Sequence, residues 1–250
     1  MTDQVIVKDE GAVRTIRMNR PDKKNALTAA MYDAMAEAIE TAGGPSPVRC
    51  VLIAGVPGAF SAGNDLGDFM KAATGGEGLG NSVVRFLYAL ARAERPLVAA
   101  VQGVAVGIGT TMMLHCDYAV AAADARFSTP FVALGLVPEA GSSLIAPRVM
   151  GHRRAFELLV MGRPFSGEEA RAVGLVNQVA PADQVEAEAM KAAQAIAALP
   201  AEGVAISRRL MKGAPDEIVR RMDEEAEAFG QRLASPEARA AFAMFFARKK

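Results

Sequence analysis

Leu97-Val98-Ala99-Ala100-Val101-Gln102-Gly103-Val104-Ala105-Val106-Gly107-Ile108-Gly109-Thr110-Thr111-Met112-Met113-Leu114 reads as a buried strand, a glycine-bearing turn and a helix start in one run. Residues 97–101 are a short apolar stretch with the length of a strand covered on both faces; the glycines end it, and Thr110 onward can begin a helix. The pattern occurs a second time, where Cys50-Val51-Leu52-Ile53-Ala54 precedes the turn Phe60-Ser61-Ala62-Gly63-Asn64-Asp65. Glycines let a backbone approach a ligand closely and leave N–H groups free. Two such N–H groups aimed at one point form an oxyanion hole, and a helix macrodipole behind one of them adds to the stabilisation of negative charge. Taken singly, tight turns without a ligand are the simpler reading of these glycines. The surrounding segments reverse it.

Upstream, Val5 to Lys8 and Val13 to Met18 read as strands joined at Glu10-Gly11, and Thr28 opens an amphipathic helix that stops at Gly43-Gly44-Pro45. Thr74-Gly75-Gly76-Glu77-Gly78-Leu79-Gly80 is too rich in glycine to be an element and reads as a mobile loop. A helix then runs to Arg92, and Tyr118 to Ala122 is a further strand. Strands alternating with helices predict an α/β layered core. From Ala182 the pattern changes to Ala/Glu-rich helices broken at Pro200, Gly213-Ala214-Pro215 and Ser235-Pro236, the last a capped helix start with proline at its first position. The chain therefore divides into a core, residues 1–195, and a helical region, residues 196–250.

Composition removes several classes. With 250 residues, 51% hydrophobic and 22% charged, the chain has material for a globular core. Its 28 basic and 28 acidic residues balance, leaving no global field for nucleic acid or a membrane surface. Cys50 and Cys116, the only cysteines, sit in apolar settings that suit buried, reduced thiols. Met1-Thr2-Asp3-Gln4 starts no signal, no apolar run reaches the roughly 18 residues of a membrane span, and Arg248-Lys249-Lys250 is not a peroxisomal address, so a cytoplasmic location is expected. His115-Cys116-Asp117 holds metal-ligand residue types, but adjacent residues point apart and His152 lacks a Glu-x-x-His context; His115 is expected in the core, and no metal site is expected. The run Gly107 to Met112 lacks the third glycine of a dinucleotide fingerprint, and the sequence has no Gly-Lys-Ser/Thr phosphate loop and no Gly-x-Ser-x-Gly elbow.

Between Arg95 and Val149 the acidic residues are Asp117, Asp124 and Glu139. Turn or cap roles account for Asp117 and Asp124. Glu139 follows Leu136-Val137-Pro138 and precedes Ala140-Gly141-Ser142-Ser143, inside an apolar stretch at the mouth of the next helix. A helix-start glutamate is a common stabilising feature and would explain it structurally. Burial among Leu136, Val137 and Ala140 would also disfavour the ionised form, which suits a general base.

Further segments complete a pattern: Asn19-Arg20-Pro21-Asp22-Lys23-Lys24-Asn25-Ala26-Leu27, Phe127-Ser128-Thr129-Pro130-Phe131, Arg163-Pro164-Phe165-Ser166 and Ala172-Val173-Gly174-Leu175-Val176-Asn177. In this order and spacing, from about Val5 to the C-terminus, the chain resembles the enoyl-CoA hydratase/isomerase family, the crotonase superfamily. The resemblance implies an α/β fold with a spiral core of ββα turns and a C-terminal helical region that packs over the site or a neighbouring subunit, building homotrimers and dimers of trimers. It implies an acyl-CoA substrate, whose coenzyme A is part of the substrate, and no separate cofactor. Asn64 and Ile108 match the oxyanion positions, and Ala26, Ala62, Asp65 and Leu66 match positions along the adenine and pantetheine path. Lys23 and Lys24 are phosphate contacts or a solvated turn. The stripe Phe229, Leu233, Phe242, Phe245 and Phe246 suits burial against a neighbouring subunit, or an ordinary intrachain core.

Hydratases of the family carry two glutamates, at positions that match Thr111 and Phe131 here. Neither residue can act as a base. The segment Pro138-Glu139-Ala140-Gly141-Ser142-Ser143 resembles instead the Δ3,Δ2-enoyl-CoA isomerases, whose single catalytic glutamate matches Glu139. The leading expectation is an isomerase that moves the double bond of a 3-enoyl-CoA to the 2-position during fatty acid or related acyl-CoA degradation, with Thr111 and Phe131 in its acyl pocket. A weak hydratase or an isomerase of ring-derived acyl-CoA in aromatic degradation is the second reading. A non-catalytic acyl-CoA-binding protein is the third.

Overall fold

The strands Val5–Glu10 (β1) and Val13–Met18 (β2) pair antiparallel in the register Val5↔Met18 to Glu10↔Val13, closing at Gly11. The computed structural model to which they belong describes residues 2–65, 67 and 79–247, with residues 245 and 246 described by backbone alone. Beyond its first residue β1 is exposed and carries Lys8, Asp9 and Glu10, charges that protect an edge strand from further pairing. Thr28 caps the first helix, Ala29–Glu40 (α1), its hydroxyl accepting from Met31 N at 3.3 Å.

From here the chain repeats one unit: a strand in a large sheet, a strand in a small sheet, then a helix. Cys50–Ala54 (β3), Ala59–Ser61 (β4) and Asn81–Arg92 (α2) make the first turn. Leu97–Val101 (β5), Val104–Val106 (β6) and the short Ile108–Thr111 (α3), continued by a 3₁₀ turn Met112–His115, make the second. Tyr118–Ala122 (β7), Arg126–Ser128 (β8) and Ser142–Leu159 (α4, interrupted at Gly151) make the third. Phe165–Ser166 (β9), Gly167–Ala172 (α5) and Gln178–Ala180 (β10) close the spiral. The large sheet runs β1-β2-β3-β5-β7-β10 and the small one β4-β6-β8-β9. Because β4, β6 and β8 are parallel neighbours, their C-terminal ends emerge side by side. Three loops distant in sequence, after Ser61, Val106 and Ser128, therefore share one edge, the place where parallel sheets present ligand sites.

β3 and β5 are buried at every residue, as their unbroken apolar sequence requires of strands covered on both faces. Val185–Ala197 (α6) packs across β3, β5 and β7. Three more helices follow, Ala201–Lys212 (α7), Asp216–Leu233 (α8) and Pro236–Ala247 (α9), the last capped by Ser235 Oγ accepting from Ala238 N at 3.1 Å. Phe229, Leu233 and Phe242 are buried within the chain, in a second apolar cluster with Leu79, Phe131, Leu136 and Leu159. The expectation of a subunit contact for this stripe is corrected for these three residues, because the tail folds back and closes on the spiral's own loops. The side chains of Phe245 and Phe246 lie outside the described residues, as do Leu66 and the predicted loop over residues 74–78.

Candidate active site

The first glycine turn is built by the segment before it. Lys24 to Leu27 lies along Ala62 to Asp65 as a short parallel pairing: Ala62 N donates to Lys24 O at 2.8 Å, Leu27 N to Gly63 O at 2.8 Å and Asp65 N to Leu27 O at 2.9 Å. In such a bridge the bonds run through the residues flanking Asn64, so its own N–H points to the other side and has no acceptor among the described residues. Asn25 makes the pairing possible. Fully buried and left-handed (φ +55°), its amide donates to Ala59 O and Phe60 O at 3.0 Å each, and its Oδ1 accepts from Arg20 N at 2.7 Å. Ser61 Oγ donates to Asn25 O at 2.8 Å and accepts from Gly63 N at 3.1 Å.

The second turn lies against the first. A Cβ on Gly63 would meet Val106 O at 2.8 Å, and one on Gly109 would meet Ser61 O at 2.9 Å, so both contacts need glycine. Ile108 is the first residue of α3, and its N–H has no acceptor within the helix. Asn64 N–H and Ile108 N–H, two backbone donors without an acceptor among the described residues, thus come from adjoining turns held together by glycine contacts.

A cavity of about 650 Å³ opens at these turns. Lys23, Lys24, Ala26, Ala62, Asn64 and Asp65 line its polar part, with Gly107 beside them; Phe131, Leu134, Leu136, Phe229 and Phe242 line its apolar part. Asp65 is held by Arg20, whose guanidinium donates to its Oδ2 at 2.7 Å. Ile108, Thr111 and Glu139 are buried and are not among the residues that line this cavity.

Glu139 is 2% exposed. It does not act as a helix-start residue: α4 begins at Ser142 with Gly141 as its cap, and the Glu139 side chain turns instead to Thr111, whose hydroxyl donates to Oε1 at 2.6 Å. The helix-start task falls to Glu225 of α8, which accepts from Gly141 N at 2.6 Å and from Ser143 N at 2.9 Å. Burial pushes the Glu139 carboxyl up to about 8, opposed by the Thr111 hydrogen bond and reinforced by the charge of Glu225. Burial raises Glu225 as well, against the lowering effect of its bonds to Ser143 and Gly141. The left-handed turn at Ala140 (φ +63°) is tied by His115, whose Nε2–H donates to Ala140 O at 2.7 Å; burial takes that imidazole down to about 4, keeping it neutral. Tyr32 of α1 is buried beside this cluster. Its hydroxyl donates to Asn64 Oδ1 at 2.5 Å, and burial followed by the charge of Glu139 holds the phenol well above its ordinary value.

The family model for enoyl-CoA hydratase/isomerase matches residues 8–250. The chain belongs to the enoyl-CoA hydratase/isomerase family. It is 37% identical over 225 residues to enoyl-CoA delta isomerase 2 of Rattus norvegicus, covering 88% of this chain and 57% of the rat protein, so it spans little more than half of that relative's length. It is 33% identical to 1,2-epoxyphenylacetyl-CoA isomerase of Escherichia coli, over 86% of this chain and 84% of that protein. The structure of OdaA from Pseudomonas aeruginosa superposes with a TM-score of 0.93 at 45% identity, covering 98% of this chain and 99% of that one. The fold is crotonase-like and the chain is an enzyme of this superfamily. Of the expected site residues, the fold gathers Lys24, Ala26, Ala62, Asn64, Asp65 and Phe131 around the cavity and sets Ile108 next to its Gly107. It pairs Thr111 with Glu139 in the buried layer. Leu66 lies outside the described residues.

Three residues escaped the sequence reading. Tyr32 stands on the apolar face of α1 with Met31, Met35 and Ile39 and reads as core. Asn25 reads as a turn residue. Glu225 did leave a signal, since it interrupts the stripe Val219, Met222, Phe229, Leu233 that α8 turns inward. Asp117, expected as a cap or turn residue, has a larger role: it accepts from Leu97 N at 2.8 Å and pairs with Arg208 and Lys212, tying α7 to the spiral. Among the described residues no group of histidine, cysteine and carboxylate side chains could hold a metal ion, and no helix is long and apolar enough to cross a membrane.

Proposed function

We propose that the protein is a Δ3,Δ2-enoyl-CoA isomerase of the cytoplasm that uses Glu139 as its single base and needs no separate cofactor. The observation that carries this reading is the Glu139–Thr111 pair. One buried carboxylate with an acidity near neutrality has a hydroxyl as its side-chain partner, at a position where the hydratases resembled by the sequence hold a second glutamate. The other hydratase position holds Phe131 in the apolar cavity wall. Adding water across a double bond needs groups to orient and deprotonate the water; moving the bond needs one group that takes a proton and returns it.

In the proposed reaction the thioester oxygen of a 3-enoyl-CoA accepts from Asn64 N–H and Ile108 N–H. Glu139 carboxylate removes the C2 proton, and the electron pair delocalises through C2–C1 onto that oxygen and through the C3–C4 bond, giving a dienolate. The dienolate takes the same proton at C4, forming C2=C3 and regenerating the carboxylate. Fixed backbone donors cost no reorganisation as the charge develops, and loss of one such donor typically costs about 2.7–4 kcal/mol. The coenzyme A lies along Ala26, Ala62, Asp65 and Leu66, with Lys23 and Lys24 at its phosphates. The test is absorbance at the enoyl-thioester band on mixing with 3-hexenoyl-CoA, with 2-enoyl-CoA in water as the hydratase control. A rise with the first and no decay with the second supports the reading; hydration as fast as isomerisation overturns it.

A second reading is favoured by the likeness to 1,2-epoxyphenylacetyl-CoA isomerase: the same oxyanion donors and base serving a ring-derived acyl-CoA. Turnover of such a ring-derived thioester in preference to 3-hexenoyl-CoA selects it. The assembly proposed is a homotrimer or dimer of trimers. Helix α7 buries none of its residues and leaves Ile206, Leu210 and Met211 exposed, the last two at 77% and 82%, an apolar face of the kind subunit contacts cover. Light scattering on the eluting protein decides the mass.

A further inference from the structure

The turn that carries Glu139 is held from outside the spiral. Its residues 139–143 end in a helix start whose N–H groups would ordinarily draw a carboxylate from the first turn or the cap. Glu139 is the acidic residue nearest in sequence, yet its side chain faces Thr111. The N–H groups of Gly141 and Ser143 are instead taken by the two oxygens of Glu225, which is 6% exposed and reaches across from the C-terminal helix α8.

We propose that Glu225 is a positioning residue for Glu139: it occupies the helix start that Glu139 would otherwise satisfy, so that the base is left free for substrate, and its charge couples to that of the base. The proposal rests on the reading of Glu139 as the base. Three observations support it independently of one another. Both Glu225 oxygens are committed to backbone donors on the turn itself, which fixes the turn relative to α8. Glu225 interrupts an otherwise apolar inward stripe, where an aliphatic residue would pack without the cost of burying a carboxylate. The same helix supplies Phe229 to the cavity wall, so one rigid element holds both the base's turn and part of the acyl pocket.

The groups facing the two carboxylates are few. Thr111 from α3 donates to Glu139, and Tyr32 from α1 lies close enough to feel its charge. Neutral His115 holds the carbonyl of the next residue, Ala140. Glu225 is faced by the Gly141 and Ser143 amides and by Arg221 on its own helix, which also donates to Ser143 Oγ at 3.4 Å. Like charge from Glu225 raises Glu139, while the Thr111 bond lowers it.

The experiment compares Glu225→Gln and Glu225→Asp with the wild-type chain, in two readouts. The first needs no substrate: the protonation of Glu139 is followed by infrared spectroscopy of protein labelled with carboxyl-¹³C glutamate, its band assigned by difference against Glu139→Gln. The glutamine variant removes the charge, so the Glu139 midpoint is expected to fall by about one pH unit; the aspartate variant keeps the charge and the higher midpoint. The second readout is isomerisation, where both variants are expected to lose up to about 10²-fold in kcat with KM within a few-fold, since glutamine has one acceptor oxygen for two N–H donors and aspartate is one methylene shorter. An unmoved Glu139 midpoint in Glu225→Gln, or wild-type kcat in a folded Glu225→Asp, overturns the proposal. If the glutamine variant does not fold, the aspartate variant's kcat decides. Absence of isomerisation in the wild-type chain would overturn the isomerase reading and leave the infrared titration to judge the coupling of the two carboxylates alone.

Discussion

Two buried glutamates from different parts of the chain meet at the start of α4, and their surroundings divide the labour between them. Glu225 accepts two backbone hydrogen bonds and lies near Arg221, so the groups around it favour its charge against burial. Glu139 has one hydroxyl and a like-charged neighbour, and its acidity is carried to about 8. Burial raises both carboxyls; at Glu225 two backbone amides and Arg221 oppose it, whereas at Glu139 one hydroxyl opposes it and a like charge reinforces it. A base working near neutrality needs the second arrangement.

The strongest way to break this contrast is Glu139→Gln. The amide keeps the shape and cannot take a proton, so isomerisation is expected to fall by about 10³-fold while KM stays within a few-fold, as steady-state kinetics on a 3-enoyl-CoA will measure. Near-native turnover would remove Glu139 from the reaction. Next in size is the oxyanion side. Ile108→Pro deletes a backbone donor and is expected to cost about 2.7–4 kcal/mol in kcat/KM, whereas Ile108→Ala keeps the N–H and most of the rate. Circular dichroism must first show both proteins folded, since proline also constrains Gly107; equal inactivity in two folded variants would mean that the side chain matters and the donor does not.

A smaller effect sharpens the assignment of causes. In the wild-type enzyme kcat/KM should rise with pH through about 8 as Glu139 loses its proton. Thr111→Val removes the hydrogen bond that favours the charged form, so the rise should move to higher pH with only a few-fold loss above it. A shift to lower pH would contradict the role given to Thr111. The smallest effect is thermodynamic. The native acidity of Glu139 lies near 8, above the 4.5 of an unconstrained glutamate, so the native state holds an extra proton between those values. The stability linked to that proton is fully present below about 4.5 and is lost as pH rises through 8. Melting temperatures of Glu139→Gln relative to wild type should therefore increase from pH 5 to pH 9. A difference independent of pH would show that burial does not raise this carboxyl.

Much of the scaffold was legible in the chain. Leu97 to Val101 and Cys50 to Ala54 read as strands because each is a five-residue apolar run, short for a helix and followed by a glycine-bearing turn, and they are buried throughout. Thr28 and Ser235 marked helix starts through short-range hydrogen bonds that need no tertiary partner. The stripe on α8 and α9 was legible as apolar but not as intrachain, because side-chain periodicity states that a face is buried and not by what.

By itself, then, the sequence determined what local chemistry can determine: the strand and helix menu, the glycines that two close backbone contacts require, and a lone glutamate in an apolar stretch. Only the tertiary structure decided which groups meet. Parallel pairing of β4, β6 and β8 brings Asn64 and Ile108 from turns more than forty residues apart to one edge. Tyr32 reaches Asn64 from α1, and Glu225 reaches the Glu139 turn from more than eighty residues downstream. A carboxylate's proton affinity depends on burial, dipoles and charges within a few ångströms. Those neighbours are fixed by the fold, so the helix-start reading of Glu139 stood until the helix start was found to belong to Glu225.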